Sequence, residues 1–309
     1  MRQIADPARQ PRPDSRVSRK APMHPRGSLA AAVFAPISLA ITLASSPAWA
    51  QVPPQKRPIR WDPGIDTAVT VGGAAAWLAS ELLKGDLAPS HCRWCAANAV
   101  DAETRRALVW QDADAAARLS NVTGFLLVPL AAIGFDAMAA AHEGAIGNVP
   151  EDVLLTAEAG VLAADVDQLT KLLVGRERPF VHALAPDEKL QTASPADNNV
   201  SFYSGHTTET FALAAASGTI GELHGYRWAP VAWGVGGALA GVTAYLRIAA
   251  DKHWLTDVLV GAVVGIGIGV GVPCLFHPAL GEPAPSPVTN ANVLRVPAPP
   301  AVPTLSFAW

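Results

Sequence analysis

Beyond residue 50 the chain alternates long apolar stretches with short polar ones. Runs rich in Ala, Leu and Val recur at about 67–84, 119–135, 152–174, 207–223, 228–246 and 258–276. Their length and unbranched, Ala-rich composition favour helices over strands. A polar connector, 85–118, separates the first two, and a Pro- and Asn-containing connector, 180–203, separates the third and fourth. No internal repeat is visible. The pattern predicts an all-α fold, a bundle of six main helices over 67–277. A Pro-containing linker (51–66) precedes it, and a Pro/Ala-rich tail (278–309) follows.

Composition narrows the class. The chain of 309 residues is 50% hydrophobic and 16% charged, which excludes a disordered protein. Three cysteines exclude a disulfide-dense mini-domain. A net charge of −3 gives no basis for nucleic-acid binding. That near-neutral value hides an asymmetry. Residues 1–50 hold seven Arg or Lys and two Asp, so removing their net +5 leaves −8 on the remainder. A basic start, an apolar run from Gly27 to Ala44 and the ending Ala48-Trp49-Ala50 form the pattern of an export signal. The reading is an exported, periplasmic protein, with an uncleaved anchor as the alternative.

Two runs, Trp228–Leu246 and Val258–Gly281, are free of charged residues and long enough to cross a bilayer. Gly237-x-x-x-Gly241 and Gly261-x-x-x-Gly265 provide small-residue spacings for close helix packing. Against spanning, the third run contains Glu158, Asp165 and Asp167, and the first and fourth contain Glu81 and Glu209. The bundle is therefore either soluble or membrane-associated. In an oxidising compartment Cys92-x-x-Cys95 reads most simply as a local disulfide; a redox pair or half a zinc site are the other readings. Cys274, in an apolar run, is expected to be a small buried hydrophobe.

Chemistry-bearing residues gather at helix ends. Lys171 and Arg178, seven apart, share a helix face, and Pro179 ends that helix. Arg176 beside them is expected to be solvated or paired with Glu177. Ser204-Gly205-His206 runs into the fourth helix, where free backbone N–H groups favour an anion. Arg247 closes the fifth helix, and His253 and Asp257, four apart, open the sixth. A carboxylate at that spacing can hold the imidazole in one tautomer. A metal at these residues would need His206 as third ligand, and no metal is expected.

Together, Lys-x6-Arg-Pro, Ser-Gly-His and Arg-x5-His-x3-Asp resemble the signature of the type-2 phosphatidic acid phosphatase superfamily. That superfamily includes bacterial acid phosphatases, lipid phosphatases and vanadium haloperoxidases. The resemblance covers about 150–275 and implies a helical bundle with the active site at one end. It implies catalytic roles for His253 as nucleophile, His206 as acid and Asp257 as its orienting partner. Lys171, Arg178 and Arg247, with Ser204 and Gly205, would bind phosphate. No cofactor is implied, although vanadate can occupy the same pocket as a phosphate mimic. The implied partner is a phosphorylated small molecule or lipid phosphate, with membrane association left open.

Two positions depart from the family pattern: Tyr203 stands where Pro is usual, and Leu246 where Ser is usual. The main expectation is phosphoester hydrolysis. The alternatives are vanadate-dependent haloperoxidation and non-catalytic binding of an anion or lipid.

Overall fold

The computed structural model describes residues 57–281; the expected export segment (1–50) and the tail from 282 onward lie outside them. Helix α1 spans Pro63–Leu82, α2 Ala99–Leu108 and α3 Ala113–Val122. A five-residue π-turn, Thr123–Leu127, joins α3 to α4, Val128–His142. Then follow α5 (Val149–Val174), α6 (Gly205–His224), α7 (Ala229–Ala249) and α8 (Leu255–Phe276). The described residues are all helix, turn and loop, with two isolated bridges, Ile59 to Ala279 and Trp94 to Arg176.

Local chemistry sets most boundaries. Asp62 caps α1 by accepting from the amides of Gly64 and Ile65, each at 2.9 Å, and Pro63 takes the first helical position. Asn98 and Asp112 cap α2 and α3 in the same way. Helices α5 and α6 stop at Gly175 (φ 63°) and Gly225 (φ 77°), left-handed positions that glycine adopts without steric cost. The connector 85–118 is thus not all loop: it contains α2 and the first turns of α3. The linker also differs from expectation, because Arg60 donates to the Pro278 carbonyl and Leu280 to that of Pro58. Ile59 is buried in the resulting joint.

Helix α6 is the axis of the bundle, with α4, α5, α7 and α8 packed around it. Its buried residues occupy every side, Ala212 and Ala214–Ala216 among them, as a fully surrounded helix requires. Close approach comes from glycine. A Cβ at Gly265 would lie 2.3 Å from the Thr208 carbonyl oxygen, and one at Gly269 would lie 2.4 Å from that of Ala212. So the Gly261/Gly265 spacing works as expected and extends to Gly269. Gly237 and Gly241 do not take part: both face open space, and Gly236 packs on Ala214 instead. Cys274 is exposed rather than buried, because the C-terminal turn of α8 presents it outward with Leu275 and Phe276.

Three helical stretches, Ala113–His142, Ala229–Ala249 and Leu255–Phe276, are long and apolar enough to cross a membrane. They turn Phe125, Leu130, Val242, Leu259 and Val263 outward. Three apolar helices with exposed apolar side chains fit membrane association.

Adding a methyl group at Gly265 should lower stability by about 1–3 kcal/mol through overpacking. The same Gly→Ala change at Gly241 should be neutral or stabilising, by up to about 1 kcal/mol. Thermal denaturation of the two variants compares them directly; equal losses would contradict this packing.

Candidate active site

The three motif segments meet at one end of the bundle around a cavity of ≈ 360 Å³. The C-terminal end of α5 supplies Lys171, and the loop after it supplies Arg178. The first turn of α6 supplies Gly205 and His206. Arg247 comes from the end of α7, and His253 from the turn before α8. Six of the expected residues therefore line one cavity. Its size suits a small phosphorylated group.

His253 is buried, and its ring is held by one strong bond: Nδ1 lies 2.8 Å from the Ser201 carbonyl oxygen. A carbonyl only accepts, so Nδ1 carries the proton and Nε2 keeps its lone pair. Nε2 lies 3.5 Å from a terminal nitrogen of Arg178. Burial, reinforced by Arg178, Arg247 and Lys171, pushes the His253 pKa well below the ordinary histidine range. The result is a neutral imidazole with an open nitrogen among cations.

Arg178 is fixed through Nε to the Asp197 carbonyl (2.7 Å) and through Nη1 to that of Lys252 (3.2 Å). Lys171 is paired with Asp167 at 2.6 Å, one helical turn earlier. Arg247 donates to Ser120 Oγ at 3.0 Å, while its Nε is buried without a hydrogen-bond partner. His206 Nε2 lies 2.8 Å from Asn121 Oδ1, and its ring packs on Phe125 at 4.4 Å between centroids. Gly124 makes the packing possible, since a Cβ there would come within 3.1 Å of the His206 ring. Burial, followed by Arg247, Lys171 and Arg178, also holds His206 well below the ordinary histidine pKa.

Residues 153–279, which span all three motifs, match the family model described as the PAP2 superfamily. This segment is a PAP2-superfamily domain. Comparisons with curated proteins and with solved structures return no match. PAP2 members are generally phosphoesterases or haloperoxidases; the phosphoesterases act on phosphorylated small molecules or lipids and are generally metal-independent.

Within the PAP2 domain several details differ from the sequence reading. Asp257 lies 3.7 Å from His253 Nδ1, too far for a hydrogen bond, so the Ser201 carbonyl is what fixes the tautomer. The Asp257 carboxylate accepts from Ser201 Oγ (2.6 Å), the Trp254 amide (3.0 Å) and Arg176. Ser204 does not face the cavity. Its amide donates to the Asp257 carbonyl at 3.2 Å, and its hydroxyl accepts from Thr207. The helix-start donors that face the cavity belong to Gly205 and His206.

Arg176 is neither solvated nor paired with Glu177. It is fully buried, ion-paired with Asp101 (2.7 Å) and Asp257, and its guanidinium lies 4.0 Å from the Trp94 ring centroid. Trp94 sits in the loop closed by the Cys92–Cys95 disulfide, which forms as expected.

Other residues of the site had no sequence signal of their own. Ser120 and Asn121 lie on α3, outside any motif. Ser201 precedes the Ser-Gly-His triplet, and Asp101 sits in the connector. Asp167 and Glu209 were legible in principle, as i−4 to Lys171 and i+3 to His206. Glu209 lines the cavity, and burial next to Asp167 raises its pKa to about 7.

Replacing Arg176 with Ala leaves Asp101 and Asp257 buried without their shared cation, a loss expected to cost about 3–5 kcal/mol. Denaturant unfolding measures it; a change under about 1 kcal/mol would show that the cluster is not integral to the fold.

Proposed function

We propose that the chain is an exported, metal-independent phosphatase that hydrolyses phosphomonoesters through a phosphohistidine intermediate. The observation that carries this reading is one cavity lined by two neutral histidines and by Lys171, Arg178 and Arg247. The three cations and the Gly205 and His206 amides take the phosphoryl oxygens, and their attraction grows as charge shifts onto those oxygens in the transition state. His253 Nε2 attacks phosphorus while the ester oxygen departs with the bonding pair. Nδ1 keeps its proton on Ser201, and the Asp257 carboxylate 3.7 Å away favours the positive charge that builds on the ring. His206 gives the leaving oxygen a proton. It then takes one from the water that attacks the phosphohistidine, which releases phosphate and restores both rings.

His206 must be protonated for the first step, yet the surrounding cations disfavour that state. A bound phosphate dianion offsets them, so substrate binding raises the His206 pKa. The α3–α4 π-turn brings the exposed Phe125 to the His206 side of the cavity, whose lining also includes Trp77, Ala117 and Phe180. An apolar rim of this kind supports a leaving alcohol with a hydrocarbon chain, and the three long apolar helices fit presentation of that substrate from a membrane. The periplasmic location rests on the export pattern of residues 1–50.

His253→Ala should reduce phosphate release by at least about 10³-fold; near-wild-type turnover would rule out the covalent mechanism. Comparing kcat/KM for a long-chain lipid phosphate and a small soluble monoester tests the rim, and a preference for the soluble ester would remove the lipid assignment.

Protonation of His206 is lost as pH rises through its low pKa, so kcat/KM should be higher near about pH 5.5 than near about pH 8. In Asn121→Asp, a carboxylate contacts the ring, favours its charged form and raises that pKa. The alkaline limb of the profile should then move to higher pH; an unshifted or lowered limb would exclude His206 as the acid.

A further inference from the structure

A second cluster of ionisable groups lies far from the phosphate cavity. Along α5, Glu158 precedes Lys171 by 13 residues, about 20 Å at 1.5 Å per residue. Near Glu158 the bundle brings together Asp66 from the first turn of α1 and His277 just past α8. All three are buried, and their ligand-capable atoms lie within 4.8 Å of one another.

We propose that Asp66, Glu158 and His277 form a binding site for a divalent transition-metal ion of the zinc type, independent of the phosphate chemistry. Two unused atoms support it. His277 Nε2 and Glu158 Oε2 are buried without a hydrogen-bond partner, on side chains only 4% and 6% exposed. Orphaned polar atoms at that depth are costly unless something satisfies them.

The spacing also favours an ion. His277 Nε2 lies 3.6 Å from Glu158 Oε1, which is too long for a hydrogen bond. Two ligands on a tetrahedral ion, each at about 2.0–2.1 Å, stand about 3.3 Å apart.

Both ends of the donor set are oriented from outside. His277 Nδ1 lies 3.1 Å from the Arg60 carbonyl, so it carries the proton and leaves Nε2 as a lone-pair donor. Asp66 Oδ2 accepts from the Asp62 amide at 2.8 Å, which aims that carboxylate. One imidazole and two carboxylates suit a borderline ion such as Zn²⁺.

The neighbouring trio Glu151, Asp152 and His224 has the same residue types but a different state. There His224 is consumed on both sides, by the Arg57 carbonyl (2.7 Å) and Asp152 Oδ1 (2.8 Å). It offers no free nitrogen. Glu151 lines a cavity of ≈ 270 Å³ and lies close enough for its charge to act on Asp66 and His277.

A metal here would staple the first turn of α1, helix α5 and the turn after α8, near the Ile59–Ala279 bridge. The test uses the full chain, stripped with a chelator, desalted and titrated with Zn²⁺ against a chromophoric competitor. One equivalent should bind, and the melting temperature should rise with zinc. Glu158→Gln and His277→Gln should each weaken binding by more than about 100-fold, beyond what loss of an outer-shell partner costs. No uptake by the wild-type protein overturns the proposal, as does full affinity in both variants. X-ray absorption of the zinc-loaded wild type decides without variants: nitrogen and oxygen ligation supports the site, and sulfur ligation overturns it. None of these readouts depends on phosphatase activity.

Discussion

The pairing of Arg176 with Asp101 and Asp257 is the constraint on which the cavity end of the bundle depends. An arginine and two carboxylates, all essentially inaccessible to solvent, persist only if every charge is paired and hydrogen-bonded. Here the pairing spans the chain. Asp101 also accepts from the amide (2.9 Å) and hydroxyl (2.8 Å) of Thr256, and Arg176 donates to the same hydroxyl at 2.8 Å. Helix α2, the loop after α5 and the first turn of α8 are thereby fixed to one another. Because Asp257 also takes the Ser201 hydroxyl, the carbonyl that orients His253 is positioned by the same cluster. The nucleophile candidate is thus two bonds away from a buried salt bridge that never touches the cavity.

That separation of roles accounts for the electrostatics of the site. Arg176, fully neutralised, contributes structure. Lys171, Arg178 and Arg247 contribute field, and only Lys171 has a carboxylate at hydrogen-bonding distance, Asp167 at 2.6 Å. Arg178 is held mainly by carbonyl oxygens and Arg247 by a hydroxyl, neutral acceptors that fix geometry without cancelling charge. Burial, reinforced by this positive potential, holds both histidines neutral, and a phosphate dianion is the group that would relieve the cationic part. A site built in this way is electrostatically incomplete until an anion enters.

The helical class and the long apolar helices were legible in the sequence, because both rest on short-range rules; the six-helix expectation missed α2, whose residues are mostly polar. Motif spacing pointed to Lys171, His206, Arg247 and His253 near helix ends, but Lys171 and Arg178 do not share a helix face as expected, because α5 stops at Gly175 rather than at Pro179. What was not legible depends on long-range contact. Nothing near Arg176 announces that it will be buried between Asp101 and Asp257, 75 and 81 residues away. Ser120 and Asn121 read as ordinary polar residues of a helix, until the π-turn after them rotates that helix toward His206 and Arg247. Gly237 and Gly241 fail for the converse reason. A small-residue spacing permits close packing, but only the fold decides which neighbour arrives, and α6 met Gly236 instead.

Each of the two departures from the PAP2 pattern is tied into the packing at the cavity end of the bundle. Leu246 supplies no hydroxyl. It packs with Ala116, Ala249 and Ala250, and this packing brings α3 against the end of α7. The hydroxyl then comes from α3 itself, since Ser120 accepts from Arg247 at 3.0 Å. At the other position, buried Tyr203 packs edge-on to Phe202 at 5.7 Å, Phe202 lies 5.4 Å from Trp94, and Trp94 stacks under Arg176. A run of aromatic contacts thus ties the segment before Gly205 to the buried arginine, where a proline ring would have stiffened it locally. The disulfide loop carrying Trp94 becomes part of that support. In this chain the turn before Gly205 is therefore held by tertiary contacts, set by Arg176 and the groups around it.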